Sequence, residues 1–251
     1  MAENRELKQV NPGGKRKGHT ARACEYLTYS GQEAFKRLRT NVLIALGESE
    51  KKCRIIGVTS AQSSEGKSTV SVNLAYSLAE LGESVLVIDG DMRRPAVHDI
   101  VGASQIPGVS DILTGKSGLN EAVVRYKSTA DSTVFDLIPG GEIPDHPAEL
   151  LNSSRFSKML DVVSTVFDYV VVDLPPVNAV IDAVNVAKHT DGLVVVLRED
   201  HCPRYVLNEC VEQLRYAKAN ILGFVMNGCI EGAGKHYQYH YKNQPYYRAE
   251  K

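Results

Sequence analysis

No apolar run in this sequence approaches the roughly 18 to 20 residues needed to cross a bilayer, so none of its 251 residues reads as a membrane-spanning helix. The N-terminus is basic and polar and lacks the apolar stretch of a secretory signal. The five cysteines (positions 24, 53, 202, 210 and 229) are odd in number and show no CxxC spacing. That argues against a disulfide or zinc framework and for reduced thiols in a cytoplasmic setting. The seven histidines form no ligand-like cluster, which leaves Mg²⁺ as the metal to consider. There is no internal repeat.

What is present is ordinary for one globular α/β unit: 43% hydrophobic and 24% charged residues. The near-neutral total of −1 conceals an asymmetry, because residues 1–22 carry +4 and residues 231–251 carry +2, leaving −7 on residues 23–230. Basic ends around an acidic centre admit two readings: contact with anionic lipid or an acidic partner, or solvation of flexible tails.

The run AQSSEGKST at 61–69 follows a short apolar strand, RIIGVT, and precedes apolar residues Val70, Leu74, Leu78 and Leu81 at helical spacing, with Gly82 as a stop. Ala61, Gly66, Lys67 and Ser68 stand where a phosphate-binding loop requires a small residue and Gly-Lys-Ser. Small residues let backbone N–H groups curl around an oxyanion, and the following helix points its positive dipole end at the same place. Ser64, Glu65, Gly66, Lys67, Ser68 and Thr69 are therefore the expected nucleotide contacts. Lys67 is placed to reach the β- and γ-phosphates, and the Ser68 hydroxyl to hold Mg²⁺.

Two further apolar strands end in carboxylates. SVLVIDGDMRRP ends in Asp89 and Asp91, and YVVVDLPP in Asp173. In an open parallel sheet the carboxyl ends of the strands line the ligand crevice, so all three converge on the phosphates. A carboxylate there can hold Mg²⁺, usually through water, or accept a proton from an attacking group. A single aspartate at a strand end would more simply cap a turn; three downstream of a phosphate loop argue for a site.

Strand and helix alternate along most of the chain. A basic, flexible segment is expected over 1–28, then a helix starting at Ser30, where Ser30 and Glu33 have capping-box spacing. A looser stretch is expected over 97–132, a strand at 133–138, one helix at 147–166, then helices near 180–189 and 203–218 around a strand at 192–198, and a last strand at 221–226. This pattern predicts an α/β fold with a mostly parallel central sheet flanked by helices. The unit spans 29–230, and a flexible tail follows over 231–251. That tail holds Tyr237, Tyr239, Tyr241, Tyr246 and Tyr247, five of the chain's twelve tyrosines. They read as phosphate acceptors, as stacking platforms for bases, or, by their alternation, as a strand; a nucleotide site in the same chain favours phosphoryl transfer to them.

The phosphate loop, IDGDMRRP, VVVDLPP and the tyrosine-rich tail together resemble the bacterial tyrosine kinase family of the P-loop, MinD/ParA-like superfamily. The resemblance runs from about residue 29 to 229 and includes IPGGEIPDHPAELLNSSRF and VMN. It is nearest the type whose kinase is a separate cytoplasmic chain working with a membrane adaptor in capsule and exopolysaccharide export. It implies a P-loop NTPase fold, ATP and Mg²⁺, and autophosphorylation of the tail tyrosines between subunits. Carried over by position, Lys67, Asp89 and Asp91 are catalytic, Ser68, Asp89 and Asp173 hold the metal, and Asn227 contacts the adenine. It further implies a transmembrane polysaccharide co-polymerase as activator, a cognate tyrosine phosphatase, a homo-oligomer with a ring among its forms, and no nucleic acid. The kinase would be recruited to the inner face of the plasma membrane. Two departures matter. The oligomer-forming helix has Glu33, Lys36 and Arg39 where the family has Glu, Arg and Arg, and Lys36 loses a bidentate fork; Glu33 also has the spacing for a simple i,i+4 pair with Arg37. Gln62 stands where partition and cell-division ATPases carry a second lysine, which favours a kinase over a ParA/MinD-like ATPase switch or a protein that binds ATP without turnover.

Overall fold

A computed structural model describes residues 8–10 and 26–229. The first half runs β1 (Lys8–Val10), α1 (Tyr29–Leu46), β2 (Arg54–Ser60), α2 (Lys67–Ala79), β3 (Val85–Asp89), α3 (Val97–Val101), α4 (Val109–Thr114) and α5 (Leu119–Ala122). Next come β4 (Val124–Lys127), β5 (Val134–Ile138), α6 (Pro147–Leu151), α7 (Ser154–Ser164) and β6 (Tyr169–Asp173). The chain continues through α8 (Asp182–Ala187), β7 (Gly192–Arg198), α9 (Arg204–Tyr216) and β8 (Ile221–Asn227).

The described strands form one sheet in the order β1-β4-β5-β3-β6-β2-β7-β8. All pairs are parallel except β4 with β5. The inner strands are continuous apolar runs because helices cover both sides of a parallel sheet. Alternate residues serve opposite faces. Leu86, Ile88, Val170 and Val172 pack under α4, α7, α8 and α9, whereas Val85, Val87 and Val171 pack under α1, α2 and α3. Helix α2 lies between the sheet and its neighbouring helices, and nearly every residue from Ser68 to its end is buried. Leu81, expected on its apolar stripe, lies beyond the helix and is exposed.

Several local expectations need correction. Helix α1 is capped by Thr28, whose Oγ1 accepts from the Gly31 amide at 3.3 Å, not by Ser30. The stretch expected to be loose over 97–132 contains α3, α4, α5 and β4, each only four to six residues long. The helix expected over 147–166 is two helices, because Asn152 leaves the helical region and Ser153 starts α7 by accepting from the Phe156 amide at 3.3 Å. Strand β1 forms inside the segment expected to be irregular, pairing with β4. The tail tyrosines, and with them the expected acceptors, lie outside the described residues.

Candidate nucleotide-binding and phosphoryl-transfer site

Three strand ends build the site. β6 lies between β3 and β2, and the register sets Asp89 beside Asp173 and Asp173 beside Val58. Two residues beyond Val58, β2 ends and the phosphate loop begins. Gly66 adopts φ 89 and hands the chain to α2, so that Lys67 and Ser68 occupy the helix's first turn. The positive φ calls for glycine at 66, and a Cβ there would also push the Asn227 side-chain amide off the loop.

Lys67 Nζ lies 2.8 Å from Asp91 Oδ2 and 3.3 Å from Asp173 Oδ2. Ser68 Oγ donates to Asp173 Oδ2 at 2.5 Å, and Ser71 Oγ donates to Asp173 Oδ1 at 2.9 Å. Asp89 is committed to the backbone. Its Oδ2 accepts from the amides of Ala96 (3.0 Å) and Val97 (3.1 Å), and its Oδ1 from Asp91 N (3.3 Å). Asp91 Oδ1 accepts from the Arg94 amide at 3.1 Å.

Asp89 and Asp173 are fully buried and Asp91 nearly so. Burial is the largest influence on Asp89, the nearby Asp173 adds to it, and together they push its carboxyl up to about 8. Burial likewise raises Asp173, against the pull of Lys67 and the Ser68 and Ser71 hydroxyls. Burial works against charge on Lys67 too, but Asp173 and Asp91 outweigh it and hold the ammonium well above its ordinary value. Three carboxyl groups thus crowd around one ammonium in a water-poor site, so that Asp89 holds a proton which a bound divalent cation would help to displace. Among the described residues no group of three or more His, Cys, Asp or Glu side chains is arranged as a metal cage.

The expected site residues therefore divide. Lys67, Ser68, Asp89, Asp91 and Asp173 form one connected cluster. Ser64, Glu65 and Gly66 form the loop above it, with Thr69 half-buried in the first turn of α2. The Glu65 carboxylate turns back to accept from the Gln62 amide at 2.8 Å and is buried. Asn227 closes over the loop, its Nδ2 donating to the Glu65 carbonyl at 2.9 Å. On α1, Arg39 is turned onto α2, donating to the Ser77 carbonyl at 2.5 Å with 14% of its side chain exposed. Glu33 pairs with Lys36 at 3.0 Å on the open face.

The sequence reading missed Ser71, Arg93, Asp182, Arg198 and His201. Arg93 grips the buried Asp182 carboxylate with two nitrogens at 2.8 and 3.2 Å, tying the loop after β3 to the start of α8. Arg198 ends β7, beside β2, so the rule that singled out the aspartates would have singled it out as well.

The fold and the cluster define a P-loop nucleotide-binding protein. A family described as an AAA domain matches residues 53–221. Tyrosine-protein kinase CpsD of Streptococcus agalactiae is 31% identical over 209 residues, covering 83% of this chain and 88% of that protein. Tyrosine-protein kinase YwqD of Bacillus subtilis is 32% identical, over 83% of this chain and 85% of that one. The kinase domain of the Escherichia coli tyrosine kinase ETK superposes with a TM-score of 0.75 at 33% identity, over 82% of this chain and 78% of that domain. The chain belongs to the bacterial tyrosine kinase family.

Proposed function

We propose that this chain is an ATP-dependent protein-tyrosine kinase that phosphorylates the tyrosines of its own 231–251 tail, with the 29–230 unit carrying the chemistry. The observation that carries this reading is Lys67, held between Asp91 and Asp173 at the start of α2. Phosphate groups on the loop offer Lys67 a stronger anionic partner than either carboxylate. Its movement toward them releases Asp91 Oδ2, while Asp89 stays fixed by three backbone amides. Asp91 is therefore the residue that orients the tyrosine hydroxyl and accepts its proton. The phenolic oxygen forms a bond to the γ-phosphorus as the bond to the β–γ bridging oxygen breaks, and Lys67 counters the charge gathering on the departing ADP. Ser68 and Asp173 would hold Mg²⁺, which would supply charge neutralisation for the transferring phosphoryl group.

The tail follows within a few residues of β8, whose end lies over the phosphate loop, so the short connection disfavours entry into its own site. The acceptor tyrosine comes from a neighbouring subunit of a homo-oligomer, for which the Glu33–Lys36 face of α1 is the candidate contact. A phosphorylated tail then weakens the assembly by like-charge repulsion, and a cognate phosphatase restores it. Among the described residues no helix is long and apolar enough to cross a membrane; the kinase reaches the inner face of the plasma membrane through a transmembrane adaptor, where it regulates capsule or exopolysaccharide export. Mixing a Lys67→Met chain with an active chain truncated after residue 230 tests transfer between subunits. Label on the Lys67→Met tail is expected; an unlabelled tail, under conditions that label wild type, contradicts it.

A further inference from the structure

A phosphate loop grips its ligand with N–H groups, and nothing in the loop's own sequence decides where those groups point. The peptide unit is planar and trans, so the N–H of one residue and the C=O of the residue before it point in opposite directions. Holding the carbonyls from outside therefore aims the amides inward. Here three consecutive carbonyls are held in this way, each by a residue from β7, the turn after it, or β8. His201 Nε2 meets the Ser63 carbonyl at 3.2 Å, Arg198 Nη1 donates to the Ser64 carbonyl at 3.4 Å, and Asn227 Nδ2 donates to the Glu65 carbonyl at 2.9 Å. A carbonyl only accepts, so His201 carries its proton on Nε2. The amides on the far side of these three peptide units belong to Ser64, Glu65 and Gly66.

Two more contacts lock the same seam. Gln62 Nε2 donates to the His201 carbonyl at 3.3 Å, and the Glu65 carboxylate accepts from Gln62 N at 2.8 Å. Ser64 at φ 67 and Asp200 at φ 56 both sit in the left-handed region, one in each of the two facing loops. Non-glycine residues persist there when their surroundings over-determine them.

We propose that Arg198, His201 and Asn227 are positioning residues that form an external clasp on the phosphate loop, presetting its amides for the triphosphate. The proposal rests on the reading that ATP binds this loop. It gives Asn227 a task that no base is needed for: one of its two amide hydrogens is committed to Glu65, and the other remains for a purine. Base contact and phosphate grip are then joined in one side chain.

The test uses the full-length chain and two ligands with Mg²⁺, ATP and inorganic tripolyphosphate, with affinities measured by calorimetry. Each lost clasp hydrogen bond is expected to weaken tripolyphosphate about fivefold. Asn227→Ala is decisive, because a residue that serves only the base leaves tripolyphosphate affinity unchanged. The Arg198→Met, His201→Ala double variant is expected to weaken ATP and tripolyphosphate by the same factor, and Arg198→Lys to restore part of it. Arg198 and His201 are exposed, and thermal unfolding without ligand shows whether the fold is intact. Unchanged tripolyphosphate affinity in folded Asn227→Ala and in the double variant overturns the clasp. Wild type that binds neither ligand overturns the ATP reading and the clasp with it.

Discussion

Asp89 concentrates the site's electrostatics in one side chain. Its carboxyl is raised from an ordinary 3.8 to about 8, by burial first and Asp173 second. Between those values the folded chain keeps a proton that the unfolded chain has released. The folded state therefore binds more protons, and its stability falls as pH rises through that window. Asp173 is raised as well and shares the effect, so Asp89→Asn should reduce the slope without abolishing it. Urea denaturation of the nucleotide-free protein from about pH 5 to about pH 8 checks this; a pH slope that Asp89→Asn leaves unchanged would mean that Asp89 is already ionised throughout the window. At this scale the sequence was informative where strand ends met the crevice rule, as for Asp89, Asp91 and Asp173. It was silent on which of the paired aspartates is tied down by three backbone amides, because that depends on the Ala96 and Val97 amides, which only the folded loop brings to Asp89.

The elements that carry the site are the two whose local sequence is least ambiguous, β2 with its loop and α2. Gly66 joins them; Gly66→Ala should lower stability by roughly 1–2 kcal/mol, the cost of an L-residue at positive φ, and should weaken ATP binding by pushing Asn227 off the loop. Equilibrium binding in the folded variant measures it. Helix α1 offers a stability test: Thr28→Ala should cost about 1 kcal/mol in chemical denaturation and Ser30→Ala much less, because Thr28 makes the cap. The capping-box spacing misled there because two hydroxyl residues, Thr28 and Ser30, stand only two positions apart, and spacing alone does not say which one leaves the helix. The helices between β3 and β4 escaped notice for another reason. Each has four to six residues, and α4 and α5 follow the capping glycines Gly108 and Gly118, too little length for a periodic apolar stripe to register. Ser153, by contrast, was a visible cap signal inside an over-long helix.

For the whole molecule, alternation of strands and helices was enough to predict a parallel, two-sided sheet, and the apolar runs of β3, β6 and β7 bear this out. Strand order was not legible. Which strands neighbour β2 is decided by crossover packing, and that order is what sets Asp89 beside Asp173 and puts Arg198 and Asn227 at the phosphate loop. The antiparallel β4 was hidden among short elements. The account as a whole turns on where the γ-phosphoryl group goes. The most direct measurement is the intact mass of the full chain after incubation with ATP and Mg²⁺, with Lys67→Met alongside. The account predicts mass steps of whole phosphoryl groups, mapped to Tyr237, Tyr239, Tyr241, Tyr246 or Tyr247 and absent from Lys67→Met. Release of inorganic phosphate with no gain in mass would contradict it and make water the acceptor.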